Sequence, residues 1–129
     1  LKIFTNEKIP VFAKGKNVRE WLYVEDCAAG IIKVLEFGLL GEVYNIGSSQ
    51  EKQNIEVVNS LLRIFNKDKT NIEFVKDRPG HDFRYKLNYN KITKETGWIP
   101  KVVFKEGLNL TVRWSKENKD WLLSKWKRK

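Results

Sequence analysis

Apolar residues recur at helical spacing in the middle of the chain. Within residues 54–66 the apolar positions are separated by three, four, one and three residues: Ile55, Val58, Leu61, Leu62 and Phe65. This spacing places them on one face of an α-helix, so the pattern predicts an amphipathic helix over 54–66.

A second helical pattern covers residues 27–38 and begins with Cys27, which is interpreted as a buried structural thiol rather than a nucleophile. Glu25 and Asp26 precede it, where a helix N-terminus favours negative charge, so they are interpreted as helix-end carboxylates and not as catalysts. Gly38 is expected to end the helix. Its apolar residues are expected to face inward: Ile31, Ile32, Val34 and Leu35.

Residues 9–12 are expected to be a short extended piece, because Pro10 keeps Ile9 out of a helix. Short β-branched and aromatic runs predict strands at 18–24, 42–47 and 72–75, of which 18–24 suits a strand or an extended arm. A short helix over 90–96 is closed by Gly97, and residues 104–123 predict one long or two short helices. Strands thus alternate with helices, and polar loops follow strands. That order indicates an α/β or α+β fold.

Length and composition further limit the kinds of protein that this chain can be. The 129 residues permit one domain with a modest core. A single cysteine excludes an internal disulfide, so the expected location is the reducing cytoplasm. No apolar run approaches the roughly 18 residues of a membrane span. The chain starts at Leu1 and contains no methionine, which leads us to expect a fragment of a longer protein.

The net charge of +9 is unevenly distributed. Residues 1–65 carry eight Lys/Arg and eight Asp/Glu, whereas residues 66–129 carry 17 and 8. A basic module that binds nucleic acid is therefore one alternative. The favoured interpretation is lysines on polar helix faces and a solvated basic C-terminal end at 119–129. Three tryptophans are interpreted as packing residues rather than as a stacking platform for bases: Trp114, Trp121 and Trp126.

The chain's one histidine lies in D-R-P-G-H-D, residues 77–82. Pro79 and Gly80 suit a turn, but a turn does not require Arg78, His81 and two aspartates, so a binding loop is predicted. The other candidate groups are Phe12, Arg19, Asn54 and Arg84. Guanidinium groups pair with phosphate oxygens, a helix N-terminus attracts anions, and an aromatic ring stacks on a base. Together they favour a diphosphate that carries a planar base.

Each candidate also has a plainer interpretation. Arg19 could pair with Glu20 or Glu25, Asn54 could be only a helix N-cap, and His81 could be a turn histidine. The guanidinium of Arg84 could brace one of the loop aspartates, Asp77 or Asp82.

The motifs of several enzyme classes do not occur in this sequence. There is no phosphate-binding G-x-x-x-x-G-K-[ST], no G-x-G-x-x-G and no tyrosine with a lysine four residues later. One histidine and one cysteine cannot form a zinc site. No catalytic residue and no metal site is predicted within this chain.

The sequence resembles the dTDP-glucose 4,6-dehydratase family of extended short-chain dehydrogenases/reductases, from about Ile9 to Trp114. The resemblance rests on four stretches: GKNVREWLYVEDCAAGI, GEVYNIGSSQEKQNIEVV, DRPGHDFRYKLN and KITKETGWIPKVVFKEGLNLTVRW. R-E-W-L-Y-V-E-D together with D-R-P-G-H-D-x-R-Y is highly specific within that superfamily. Related UDP-sugar epimerases and decarboxylases, which remain the alternative, usually lack the second block.

The resemblance implies that residues 1–129 are the C-terminal nucleotide-sugar-binding region of a cytoplasmic, homodimeric lyase. Such an enzyme oxidises C4 of a dTDP-sugar, eliminates water across C5 and C6, and reduces C6. NAD and the catalytic residues would belong to an N-terminal Rossmann half that is missing here. This chain alone is therefore expected to bind no cofactor and to be inactive.

The resemblance also implies which residues contact the substrate. Pro10 and Phe12 match the stretch near the base, although the family usually has tyrosine at position 12. Arg19 matches a diphosphate-binding arginine, and Asn54 matches an asparagine that contacts the nucleotide. The loop that closes over the phosphates and ribose matches five residues: Asp77, Arg78, Pro79, Gly80 and His81. Cys27 and Ser48 depart from the family pattern, at positions usually occupied by histidine and glycine.

Overall fold

The computed structural model describes residues 1–126, which form two compact units. The first unit contains Leu1–Asn17, Gln53–Phe83 and the described residues from Asn109 onward; the second contains Val18–Lys52 and Arg84–Leu108. The elements in chain order are β1 (Ile9–Phe12), β2 (Val18–Glu20), α1 (Val24–Phe37), β3 (Glu51–Gln53), α2 (Asn54–Ile64), β4 (Ile72–Val75), α3 (Asn90–Thr96), α4 (Phe104–Glu117) and α5 (Lys119–Trp126). The predicted mixed α/β class is confirmed.

In the first unit, β1 and β4 pair in parallel, with Ile9 opposite Ile72 and Phe12 opposite Val75. The strand at 72–75 was predicted, and 9–12 was expected to be a short extended piece. A 3₁₀ turn at Lys69–Asn71 leads into β4. The buried apolar residues of this unit come from β1, α2 and α4: Val11, Val57, Leu62 and Val112. The core of the unit is therefore built between the strand pair and these helices.

Helix α2 confirms the amphipathic pattern but shows a different buried face. Of the five apolar residues predicted to share one helix face, Leu62 is buried and the other four are half-buried. Val57, which the spacing did not select, is buried. The helix begins one residue after Gln53, whose side chain forms a reciprocal capping box with Glu56. The capping box satisfies main-chain N–H groups of the first turn.

In the second unit, β2 pairs with β3, and α1 lies near α3. Ile92 and Trp98 are the buried apolar residues of this unit. Gly30 of α1 permits a close approach, since a Cβ there would lie 3.1 Å from Ile46 Cγ2 and 3.1 Å from Trp98 Cε2. The left-handed Gly97, with φ of 70°, ends α3 as predicted.

Two predictions for this unit are wrong. Ile31, Ile32 and Leu35 do not face inward: they are 51%, 53% and 81% exposed, because the side of α1 that packs within the unit carries Asp26 and Gly30. Residues 42–47 do not form a strand. A strand requires a neighbouring strand for its main-chain hydrogen bonds, and none pairs with this segment among residues 1–126.

Smaller differences concern element boundaries. The run predicted as a strand over 18–24 forms β2 only as far as Glu20, and α1 begins at Val24, one turn earlier than expected. Cys27 lies in α1 as predicted but is half-buried. The C-terminal pattern gives two helices, α4 and α5, with Trp114 and Trp121 in edge-to-face contact at 6.0 Å. Of the predicted basic end, α5 covers Lys119–Trp126; residues 127–129 lie outside the described residues.

Candidate functional site

The parallel pairing of β1 and β4 brings two candidate groups to the same edge of the first unit. Phe12 is the last residue of β1 and lies opposite Val75, the last residue of β4. The N–H of Ala13 donates to the Val75 carbonyl at 2.8 Å, so the two chains leave the sheet together. Loop 77–82 begins two residues later. The strand register thus places the loop beside Phe12.

The turn after β1 fixes the start of α2 at the same edge. The N–H of Ile55 donates to the Gly15 carbonyl, and the N–H of Asn54 donates to the Asn17 carbonyl, both at 3.0 Å. Gly15 has φ of 68°, and a Cβ there would lie 2.7 Å from Val11 Cγ1 and 2.9 Å from the Cβ of Ile55. Glycine is required here both for the left-handed backbone and for the close contact.

Asp77 and His81 form a pair within the loop. His81 Nδ1 lies 2.6 Å from Asp77 Oδ1, and the imidazole is only 5% exposed. Hydrogen bonding to His81 is the main cause that lowers the pKa of the Asp77 carboxyl, with a smaller contribution from the Arg78 N–H. Gly80, with φ of 66°, allows the chain to reverse between the two residues.

Phe12 provides an aromatic surface that both loop side chains approach. The His81 ring meets Phe12 edge-to-face with centroids 5.9 Å apart, and the Arg78 guanidinium lies 5.7 Å from the centroid of the Phe12 ring. Phe12 remains 42% exposed. An exposed ring beside a guanidinium and an imidazole can accept a planar group that carries negative charge.

Two further predicted residues lie in the first unit. Pro10 is in β1, opposite Glu73, and is exposed. Asn54 is the first residue of α2, not its N-cap; that role belongs to Gln53. The sequence interpretation was wrong by one position because glutamine is an uncommon N-cap and asparagine a favoured one. Asn54 nevertheless lies in the first turn, where main-chain N–H groups favour anions.

Arg19 lies on β2 and belongs to the second unit, whereas Phe12 belongs to the first. Its guanidinium lies 4.6 Å from the centroid of the Tyr85 ring, and its Nη1 donates to the carbonyl of Val18 at 2.7 Å. Stacking on an aromatic ring holds the planar fork of an arginine in one orientation.

Arg84 forms an ion pair with Glu51. Its Nε and Nη2 donate to the two carboxylate oxygens of Glu51 at 2.5 and 2.7 Å. This fork holds the pKa of Glu51 below its ordinary value and raises the pKa of Arg84. The sequence offered Asp77 or Asp82 as the carboxylate that Arg84 braces, whereas the paired hydrogen bonds of its guanidinium go to Glu51 of β3.

Two carboxylates organise the second unit through contacts that the sequence did not predict. Asp26 does lie in the first turn of α1, as its interpretation as a helix-end carboxylate requires. Glu20 accepts hydrogen bonds from the N–H groups of Ser48 at 2.6 Å, of Ser49, and of Leu87 at 2.8 Å. Asp26 is buried and accepts from the N–H groups of Lys101 and Val102, at 3.0 and 2.8 Å. The only signal for either was an acidic residue inside an otherwise apolar stretch.

Other features of the described residues contribute no part of this site. A depression of about 340 Å³ in the second unit contains none of the predicted binding residues and is lined by Ser49, Lys86, Leu87, Asn88, Tyr89 and Asn90. Within residues 1–126 no group of three or more His, Cys, Asp and Glu side chains could hold a metal ion. No helix in that part of the chain is long and apolar enough to cross a membrane.

A family model and individual relatives of known name both match this chain, and both are 4,6-dehydratases. Residues 2–111 match the family model described as GDP-mannose 4,6 dehydratase. The dTDP-glucose 4,6-dehydratase of Escherichia coli is 39% identical over 132 residues, which cover 94% of this chain and 36% of that protein. The chain therefore spans about a third of the length of the curated relatives it matches.

Solved structures give the same result. The dTDP-glucose 4,6-dehydratase of Streptomyces venezuelae, solved with NAD and dTDP bound, has a TM-score of 0.89 and 41% identity, over 93% of this chain and 37% of that one. The UDP-glucose 4-epimerase of Thermotoga maritima, solved with UDP-glucose, has a TM-score of 0.83 and 30% identity, over 91% of this chain and 37% of that one. The epimerase is thus the more distant in sequence.

Proposed function

The chain belongs to the family described as GDP-mannose 4,6 dehydratase, and from that membership we propose that it forms the nucleotide-sugar-binding part of a dTDP-glucose 4,6-dehydratase. The observation that carries the proposal is the grouping of Phe12, Arg78 and His81 where β1 and β4 end. These side chains supply the aromatic surface and the cationic or hydrogen-bonding groups that a nucleoside diphosphate requires.

Each predicted contact has a physical role in the proposal. The thymine ring would stack on the exposed face of Phe12, near Pro10. Phosphate oxygens would accept hydrogen bonds from Arg78 and His81, whose loop is bent by the adjoining Pro79–Gly80 pair. The N-terminus of α2 at Asn54 would add main-chain N–H groups.

Arg19 is proposed as a second diphosphate ligand. Its guanidinium is always charged and offers paired donors that match phosphate oxygens. The Tyr85 ring at 4.6 Å already limits its conformations, so little side-chain entropy would be lost on binding. The resemblance of the R-E-W stretch to the family supports this role.

The rest of the reaction is assigned to a longer protein of which this chain would be part. The sequence contains no glycine-rich NAD-binding motif and no Tyr-x-x-x-Lys pair, so its residues do not fit an NAD site. The Streptomyces venezuelae relative contains NAD. We therefore propose that the remaining part holds NAD and the catalytic residues, and that the 129-residue chain alone is inactive as a lyase.

Exposed apolar residues support a partner region of that kind. The segment from α1 to residue 43, here called segment 31–43, exposes Ile31, Ile32, Leu35, Leu39, Leu40 and Val43. Several large apolar side chains exposed along one segment are typical of an interface. We propose that the N-terminal Rossmann region covers it in the complete enzyme, which we further propose to be a cytoplasmic homodimer.

Calorimetric titration with dTDP, UDP and a short oligonucleotide tests the proposal. Preferred binding of dTDP is expected. Preferred binding of UDP would favour the epimerase or decarboxylase alternative, to which the Thermotoga maritima structure lends support. Tighter oligonucleotide binding with a steep salt dependence would instead favour a nucleic-acid-binding module.

A further inference from the structure

His81 is held on two sides in a way that leaves one ring nitrogen for another partner. Asp77 Oδ1 lies 2.6 Å from Nδ1, and the Phe12 ring contacts the imidazole edge-to-face. Within residues 1–126, Nε2 has no hydrogen-bond partner. The side chain is 5% exposed and its Nδ1 is taken by Asp77, so Nε2 is the ring nitrogen available to a ligand.

An ionised carboxylate only accepts hydrogen bonds, so the contact with Asp77 requires the proton on Nδ1. The hydrogen bond that one ring nitrogen makes determines whether the other nitrogen carries a proton. Because Asp77 holds Nδ1, Nε2 is the nitrogen that can contact a ligand. When the ring is an imidazolium, Nε2–H donates a charge-assisted hydrogen bond, which suits a phosphate oxygen. The lowered pKa of Asp77 agrees with a carboxylate that remains ionised at neutral pH.

We propose that Asp77 is a positioning residue for His81: it does not touch the ligand but orients the ring so that, in its imidazolium form, the Nε2–H donates to a phosphate oxygen of the nucleotide. This inference rests on the proposed function, and it changes the role of Asp77 from substrate contact to support. Asp77 also accepts from the Arg78 N–H at 3.0 Å, so one carboxylate orders the loop backbone and the ring together.

A double-mutant cycle with dTDP as the probe tests the inference on the 129-residue chain. Asp77→Ala is expected to weaken dTDP binding about tenfold, the loss of roughly one hydrogen bond to a charged group. In a His81→Ala background the same change is expected to alter affinity less than about twofold. Asp77→Asn, which keeps an acceptor oxygen, should recover part of the loss.

Glu73→Ala is the matched control, since it removes an exposed carboxylate from β4 four residues before Asp77. It should leave dTDP affinity unchanged. Equal losses from Asp77→Ala with and without His81 would overturn the inference, because Asp77 would then act on the ligand or the loop independently of the imidazole. Full affinity in Asp77→Ala would overturn it as well.

The ring itself gives a readout that does not depend on dTDP. Because the chain has one histidine, its nitrogen-15 signals are unambiguous. At alkaline pH the wild-type ring should carry its proton on Nδ1, and Asp77→Ala should return it to Nε2, the form favoured by a free side chain. If dTDP fails to bind, the proposed function fails while this measurement still decides the Asp77–His81 arrangement. A wild-type proton on Nε2 would reject that arrangement.

Discussion

The carboxylate of Glu20 accepts a hydrogen bond from the main-chain N–H of Leu87 at 2.8 Å, across 67 positions of sequence. The same side chain binds the N–H groups of Ser48 and Ser49, so one residue of β2 holds two separate segments of the second unit. Glu20 is adjacent to Arg19 in β2, so the position of Arg19, which is proposed to bind the diphosphate, depends on Glu20.

Replacement of Glu20 by alanine is expected to destabilise the chain by roughly 2–3 kcal/mol, because it leaves main-chain donors without their charged acceptor. Urea unfolding measures the change. Glu36→Ala is the control, since its carboxylate meets only the exposed Lys33, at 3.4 Å, and such surface pairs contribute little. Equal unfolding midpoints for the two variants would contradict the role given to Glu20.

Arg19→Ala is expected to weaken dTDP binding by about 1.5–3 kcal/mol in the complete enzyme, the typical contribution of a hydrogen bond to a charged group. Lysine at this position should rescue binding only partly, because it lacks the planar fork. Arg84→Ala is the matched control, since its guanidinium is engaged by Glu51. Titration calorimetry compares them, and an unchanged dissociation constant in Arg19→Ala would remove this residue from the site.

Gly15→Ala is expected to destabilise the first unit by roughly 2–4 kcal/mol. The added Cβ would meet Val11 and Ile55 at less than 3 Å on a left-handed backbone. Gly41→Ala separates the two effects, because Gly41 has φ of 81° and nothing within 4 Å of the added atom. It should cost only about 1–2 kcal/mol. Thermal unfolding of both variants measures their loss of stability. A smaller loss for Gly15→Ala than for Gly41→Ala would show that the turn at Gly15 can accommodate a Cβ atom.

The Glu51–Arg84 pair predicts a specific dependence of stability on pH. The folded-state pKa of Glu51 is lowered, so its contribution is present above the unfolded-state pKa of about 4.3 and is lost as the pH falls through the folded-state value. The melting temperature of the wild type should thus exceed that of Glu51→Gln at neutral pH, and the difference should shrink in acid. If the difference in melting temperature stayed constant to the lowest pH at which the protein folds, ionisation of Glu51 would not be its cause.

The isolated chain is expected to self-associate at micromolar concentration or to rearrange around residues 42–48, because segment 31–43 exposes apolar side chains. Leu35→Lys should reduce the association, since Leu35 is 81% exposed on α1. Phe74→Lys is the control, because Phe74 is an exposed apolar residue of the first unit. Light scattering measures the mass. A monodisperse wild-type monomer whose residues 42–48 are protected from hydrogen exchange would show that the chain is a self-sufficient domain.

The elements that depend on near neighbours in the chain could be predicted from the sequence. Pro10 predicted the extended conformation of 9–12, and the composition of 72–75 predicted β4. The spacing of apolar residues predicted α2, and Gly97 predicted the end of α3. Periodicity and turn chemistry act over a few residues, so they can be read directly. The D-R-P-G-H-D loop was also recognisable, because its residue types exceed what a turn requires.

Tertiary structure alone decided which distant residues meet. Glu51, not an aspartate of the loop, binds Arg84; Glu20 binds Leu87; and the parallel register brings Phe12 beside His81. It also decided that Ile31, Ile32 and Leu35 of α1 are exposed and that 42–47 is not a strand. Apolar residues in a sequence indicate that a helix face or segment favours burial. Which other segment covers that face depends on the segments that the fold brings together.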